Sequence, residues 1–176
     1  MTTRFLLIAA AAIANFTLGA AVLSRAPRGV VHRYFALFSW SVAVWTLSNG
    51  FALAYPEVPW RDLWPRLAFA AASVIPLAFL LLASVFPTST HSVPRIVLLT
   101  FMGAGAGVFC ASCTGLIVRE TTIVDGALRL TYGPLHLPFG VYFVSCLGFS
   151  LVLLVRKHRV LTGSQRLQLR YLLLGV

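Results

Sequence analysis

The stretch RLAFAAASVIPLAFLLLASVF, residues 66–86, decides what kind of protein this is. Beyond Arg66 it holds no ionisable side chain, and a helix of about 20 such residues crosses the roughly 30 Å hydrocarbon core of a bilayer. Backbone groups in lipid must find their partners within the segment, which a helix provides. Working outward, similar apolar runs cover 5–24 and 34–55 before it, and 96–118 and a shorter 139–155 after it. A sixth run opens at Tyr171. Hydrophobic residues make up 59% of the 176 and charged residues 10%, where about a quarter of a soluble domain is charged. The expected fold is therefore all-α: a polytopic transmembrane helix bundle of five complete helices plus the start of a sixth, one membrane-embedded domain over 1–176.

The net charge of +10 would suit nucleic acid if it lined one polar face. Instead the basic residues form short clusters between apolar runs, so no nucleic-acid partner is expected and loops facing anionic lipid account for the charge. The loops divide into two alternating sets. One carries Arg25, Arg28, Arg33, Arg95, Arg156, Lys157, Arg159, Arg166 and Arg170 and no acid; the other mixes Arg4, Arg61, Arg66, Arg119 and Arg129 with all four acids, Glu57, Asp62, Glu120 and Asp125. Excess Lys and Arg mark the cytoplasmic side, which puts the N-terminus outside. Arg4 before the first run and LGAA late in it are signal-peptide features, but the apolar stretch continues to Leu23, and cleavage would move Arg25, Arg28 and Arg33 to the acid-bearing side. Of the outer loops, PEVPWRDLWP pairs Trp60 and Trp64 as an interfacial anchor, with Pro65 suited to the first turn of a helix. The other, RETTIVDGALRLTYGPLHLP, has β-prone residues on both sides of Asp125-Gly126 and predicts a short extracellular β-hairpin between helices 4 and 5.

Few residues invite chemistry. Cys110 and Cys113 share a helical face in CASC, with Cys146 of the next helix at comparable depth, but no histidine or acid lies beside them to complete a metal shell, and packing as small apolar groups is the expected role. Gly103, Gly107, Ala111 and Gly115 recur every four residues as a stripe where another helix can approach. Pro76 removes a backbone hydrogen bond and is expected to kink the third helix, as a fit to its neighbours or as a hinge. Asn15, Thr17, Ser39, Ser41, Ser48, Asn49, Ser73 and Ser84 are expected to bond between helices. As ligand-binding candidates we take Asn15, Trp40, Trp45 and Asn49; Trp40 and Trp45 lie well inside the second helix, where with Asn49 they would line a small-molecule pocket. No run carries an ionisable residue in its middle, which disfavours a pump. His32, His91, His136 and His158 sit in loops or at their borders, so no catalytic or metal cluster and no cofactor is expected.

Three stretches carry a family resemblance: NFTLGAAVLSRAPRGVVHRYFALFSWSVAVWTLSNG, WPRLAFAAASVIPLAFLLLASVFP and YGPLHLPFGVYFVSCLGFSLVLLVRKHRVLTGSQRLQLRYLLLGV. In order and spacing they resemble the N-terminal seven-transmembrane-helix sensor region of bacterial histidine kinases. The marks are Asn15, the 25–33 loop leading into FALFSWSVAVW, Phe86-Pro87, Tyr132-Gly133-Pro134 and RLQLRYLLLG. The resemblance implies a signal-sensing input domain in the bacterial cytoplasmic (inner) membrane, with the lipid bilayer and a fused or downstream cytoplasmic signalling module as partners and a homodimer as the working state. It gives no catalytic role to any histidine here. On this reading RKHRVLTGSQRLQLR is the last cytoplasmic loop, and YLLLGV opens a sixth helix that the chain's end cuts. The rival reading is part of a small-molecule transporter or permease, which would have a related second half and broken helices in matching places. A retinal photoreceptor ranks below both, since the third run has no acid.

Overall fold

A computed structural model describes residues 2–55, 60–87, 92–124 and 127–174, with side chains assigned as far as 169. The elements run α1 (Thr2–Arg25), α2 (Val30–Ala54), α3 (Leu63–Val85), α4 (Arg95–Ser112), β1 (Val118–Val124), β2 (Ala127–Tyr132), α5 (His136–Val160) and α6 (Gly163–Leu174). The first five helices are long and apolar enough to cross a membrane. Glu57, His91 and the Asp125-Gly126 turn lie outside the described residues.

α3 is the hub. Within the bundle 72% of its span is buried, against 11% of α1 and 22% of α4. Its alanines, among them Ala68, Ala72, Ala78 and Ala83, let neighbours come close. α2, α4 and α5 all pack on α3, whereas α1 leans on α2. Three buried clusters follow α3 along its length. Ala72 packs with Ala111, Ile117, Val118 and Phe139; Leu80 and Leu81 with Leu98, Tyr142 and Cys146; Ala83 with Leu154 and Leu169. Pro76 lies inside the helix and cannot donate to the Ala72 carbonyl. In the same turn the Tyr142 hydroxyl of α5 donates to the Ser73 carbonyl at 2.9 Å.

Several expectations are corrected. Helix 4 ends at Ser112 rather than 118, because Thr114 Oγ1 and N both bond the Ala111 carbonyl and the β-prone residues from Val118 pair as a strand. The close approach to α4 is not on the Gly103 and Gly107 stripe, where an added Cβ would meet nothing within 4 Å. It is at Gly105, where a Cβ would lie 2.6 Å from the Tyr142 hydroxyl. Leu98, Gly105 and Ser112, at seven-residue spacing, are buried, and so is Ala111, the stripe member that packs with Ala72. Gly115 lies beyond the helix end altogether.

The cysteines do not share one environment: Cys110 and Cys113 are exposed, Cys113 at the end of α4, and Cys146 is buried. Most of the polar residues expected to bond between helices satisfy themselves within their own helix, as Ser and Thr commonly do. Thr17 donates to Ile13, Ser41 to Leu37 and Ser73 to Ala70. Bonds between helices come instead from Trp40, Tyr142 and Lys157.

The end of the bundle that carries the α5–α6 junction differs most. Residues 156–170, expected as a loop, are helical except for Leu161 and Thr162: α5 runs on to Val160 and α6 starts at Gly163. Lys, Arg, Gln and Leu are all good helix formers, so the helices outrun the apolar segments. Gly163 carries φ +62° at the break, a conformation open to glycine without steric cost.

At the other end β1 and β2 form a two-stranded antiparallel hairpin, with Val124 opposite Ala127. An irregularity between Val118 and Glu120 leaves Arg119 out of the pairing, and its carbonyl accepts from Arg66 Nη2 at 3.2 Å. Asp62 Oδ1 accepts the Thr121 N–H at 3.0 Å. The loop read as an interfacial anchor therefore also pins the hairpin. Trp60 is exposed, but Trp64 is stacked on Phe51 of α2 with ring centroids 4.5 Å apart.

Because Asp62 is the charged acceptor for the Thr121 N–H, Asp62→Ala is expected to speed tryptic cleavage after Arg119 and Arg129, both exposed, by about tenfold through more frequent hairpin opening. Limited proteolysis with mass-spectrometric readout checks it, and an unchanged rate would show the hairpin held without Asp62.

Candidate functional site

On the hairpin side of the bundle, α2 and α5 both pack against α3 but scarcely touch each other. The space between them is a cavity of about 570 Å³, bounded by Trp45 and Asn49 of α2, Phe69 of α3, Phe139 and Phe143 of α5, and Leu130 of β2. Helical spacing builds each wall. Val42, Trp45 and Asn49 repeat at three and four residues, as do Ala68, Ala72 and Ile75 on α3, while Phe139 and Phe143 are one turn apart. Ala68 and Ala72 are the small residues of the α3 wall, and the rings opposite stand apart because α2 and α5 do. The lining has no charged group. Its polar groups are the Asn49 amide and the Trp45 indole N–H.

Of the four candidates taken from the sequence, the structure brings Trp45 and Asn49 together at this cavity. Asn49 Nδ2 donates to the Trp45 carbonyl at 2.8 Å, while its Oδ1 accepts no hydrogen bond from any described residue. Trp40 lies at the α1–α2 contact instead. Its indole donates to the Phe16 carbonyl at 3.2 Å and stacks on the Phe16 ring at 5.8 Å, over Gly19, which has no side chain to obstruct it. Asn15, on α1, donates to Ala11 at 2.9 Å within its own helix. Neither residue lines the cavity.

Two features were not legible beforehand. At the cavity's hairpin end His136 opens α5 and stacks on Tyr132 with centroids 3.9 Å apart, beside Phe69 and Phe139. The sequence placed His136 only at a loop border; the aromatic spacing Tyr132, His136, Phe139 was the available signal.

At the opposite end of α3, Lys157 of α5 donates to the Ala83, Ser84 and Phe86 carbonyls at 2.8, 3.0 and 2.7 Å. These are the carbonyls that a helix C-terminus leaves without partners, and a cation there also meets the negative end of the helix dipole. Lys157 is the chain's single lysine among 14 basic residues, which was its signal. Among the described residues no three His, Cys, Asp or Glu side chains gather where they would hold a metal ion.

The comparisons with known proteins agree with this architecture. A family model described as the N-terminal 7TM region of histidine kinase matches residues 6–176. No curated protein and no solved structure matches the chain.

Proposed function

The chain belongs to the family of N-terminal seven-transmembrane regions of histidine kinases, and on that premise we propose that it is the signal-sensing input domain of a bacterial two-component sensor kinase in the inner membrane. Its N-terminus and the β-hairpin face outward and its arginine-rich bends face the cytoplasm, a reading that the uneven loop charge supports. A cytoplasmic module beyond α6 carries the phosphoryl chemistry, and the domain works as a homodimer.

The observation that carries the reading, beside the family, is the placement of α3. Its outer half forms a wall of the cavity, while its inner end is held by Lys157, a few residues before the α5–α6 break. A stimulus that changes how α2 and α5 sit on α3 is then felt where α6 packs back on Ala83 and Leu154 through Leu169. The physical requirement is two packings that differ by a few kcal/mol, with the stimulus binding one of them better.

The test is autophosphorylation of the full-length protein in native membranes, compared with a Phe143→Trp variant that fills the cavity. A changed phosphorylation level supports an input role. A gene that continues past Val176 into another set of membrane helices, with no phospho-accepting histidine, would overturn it in favour of a transporter.

A further inference from the structure

We propose that the cavity between α2, α3 and α5 binds an uncharged lipophilic molecule bearing one hydrogen-bond donor, such as a hydroxyl, that enters from the bilayer between α2 and α5; the assignment rests on the input-domain reading above. Its volume of about 570 Å³ falls within the roughly 300–1,000 Å³ of small-molecule sites. Three walls present rings, Trp45, Phe69 and Phe143 among them. With no charge in the lining, an ion or charged solute would lose its hydration without compensation.

The Asn49 amide decides the class of ligand further. One of its two N–H groups is used on the Trp45 carbonyl, so the amide still offers its oxygen, an acceptor, and one N–H, a pair that a hydroxyl matches because it both donates and accepts. A plain acyl chain or an apolar helix face would leave that oxygen unpaired in a water-poor setting, whereas a hydroxyl satisfies it. The route follows from the packing: Leu130 of β2 closes part of the hairpin end, while α2 and α5 remain apart along α3. A lipid-dissolved molecule reaches the site without crossing water.

The experiment uses the full-length protein in lipid vesicles with two photoreactive probes, a dodecanol and a dodecane, each carrying a diazirine on its chain. Labelled residues are read by mass spectrometry. The alcohol is expected to label the lining around Phe69 and Phe143 saturably and about tenfold more than the alkane, the effect of one hydrogen bond made to the half-buried Asn49 amide. Asn49→Leu should remove that preference, and Phe143→Trp, which leaves Asn49 intact, should suppress labelling by both probes.

Equal labelling by alcohol and alkane, or labelling spread evenly over exposed positions such as Leu6, Leu99 and Val144, would overturn the proposal. So would a downstream segment of the chain cross-linking to Trp45→Cys and excluding both probes. The readout is occupancy rather than phosphorylation, so failure here leaves the kinase assay to stand or fall on its own.

Discussion

Replacing Lys157 by methionine is expected to cost the folded bundle about 3 kcal/mol, the order lost when carbonyls held by a charged donor are left unpaired. The ammonium has three N–H donors and no acceptor, and each donor has a carbonyl within 3.0 Å, on Ala83, Ser84 and Phe86. Methionine keeps much of the apolar stem but none of the donors. Ser84 would still be served by the Ser92 backbone N–H and hydroxyl, at 3.0 and 2.8 Å; Ala83 and Phe86 have no such substitute from Ser92. Arginine is expected to recover less than half of the loss, because a planar guanidinium cannot aim at three carbonyls converging on one point as an ammonium does. Unfolding in mixed detergent micelles, followed by far-ultraviolet circular dichroism, gives the comparison. Equal midpoints for wild type and Lys157→Met would mean that those carbonyls find other donors and that the clasp contributes nothing to stability.

The reach of the sequence can be judged from individual residues. Five membrane helices were legible because hydrocarbon thickness fixes how many apolar residues a span needs. Their ends were not, since charged residues that suit headgroups and water are also helix formers, and α5 continues through Arg156, Lys157 and Arg159. The hairpin was legible from its turn pair and flanking β-prone residues, and the Val124–Ala127 pairing fits it. Helical spacing placed Trp45 and Asn49 on one face of α2, which is why both reach the cavity; Trp40 is on the face turned to α1, and hydropathy alone does not distinguish the two faces. The glycines of α4 teach the same limit. Spacing aligns Gly103 with Gly107, but only packing reveals that Gly105, two positions from each, is the one a neighbour crosses.

Glycine also supplies the second large effect. A Cβ at Gly133 would overlap the Leu116 carbonyl and lie 2.7 Å from the Gly115 carbonyl oxygen. Both obstacles are backbone, and the same segments are tied by the Gly133 N–H to the Ile117 carbonyl and the Leu135 N–H to the Leu116 carbonyl, each at 2.9 Å. No rotamer change relieves the contact; the strand end must move away from the turn that follows α4. That movement would pull Ile117 and Val118 out of the cluster they form with Ala72 and Phe139. Gly133→Ala is therefore expected to destabilise the protein by about 3 kcal/mol or more, in the range reserved for strained or overpacked sites. Gly107→Ala is the matched control, since its added methyl meets nothing within 4 Å and alanine is the better helix former by about 1 kcal/mol. The two alanine variants should thus move the unfolding midpoint in opposite directions. If Gly133→Ala unfolds at the wild-type midpoint, the close passage of β2 over the 115–117 turn is not what holds the hairpin against the bundle.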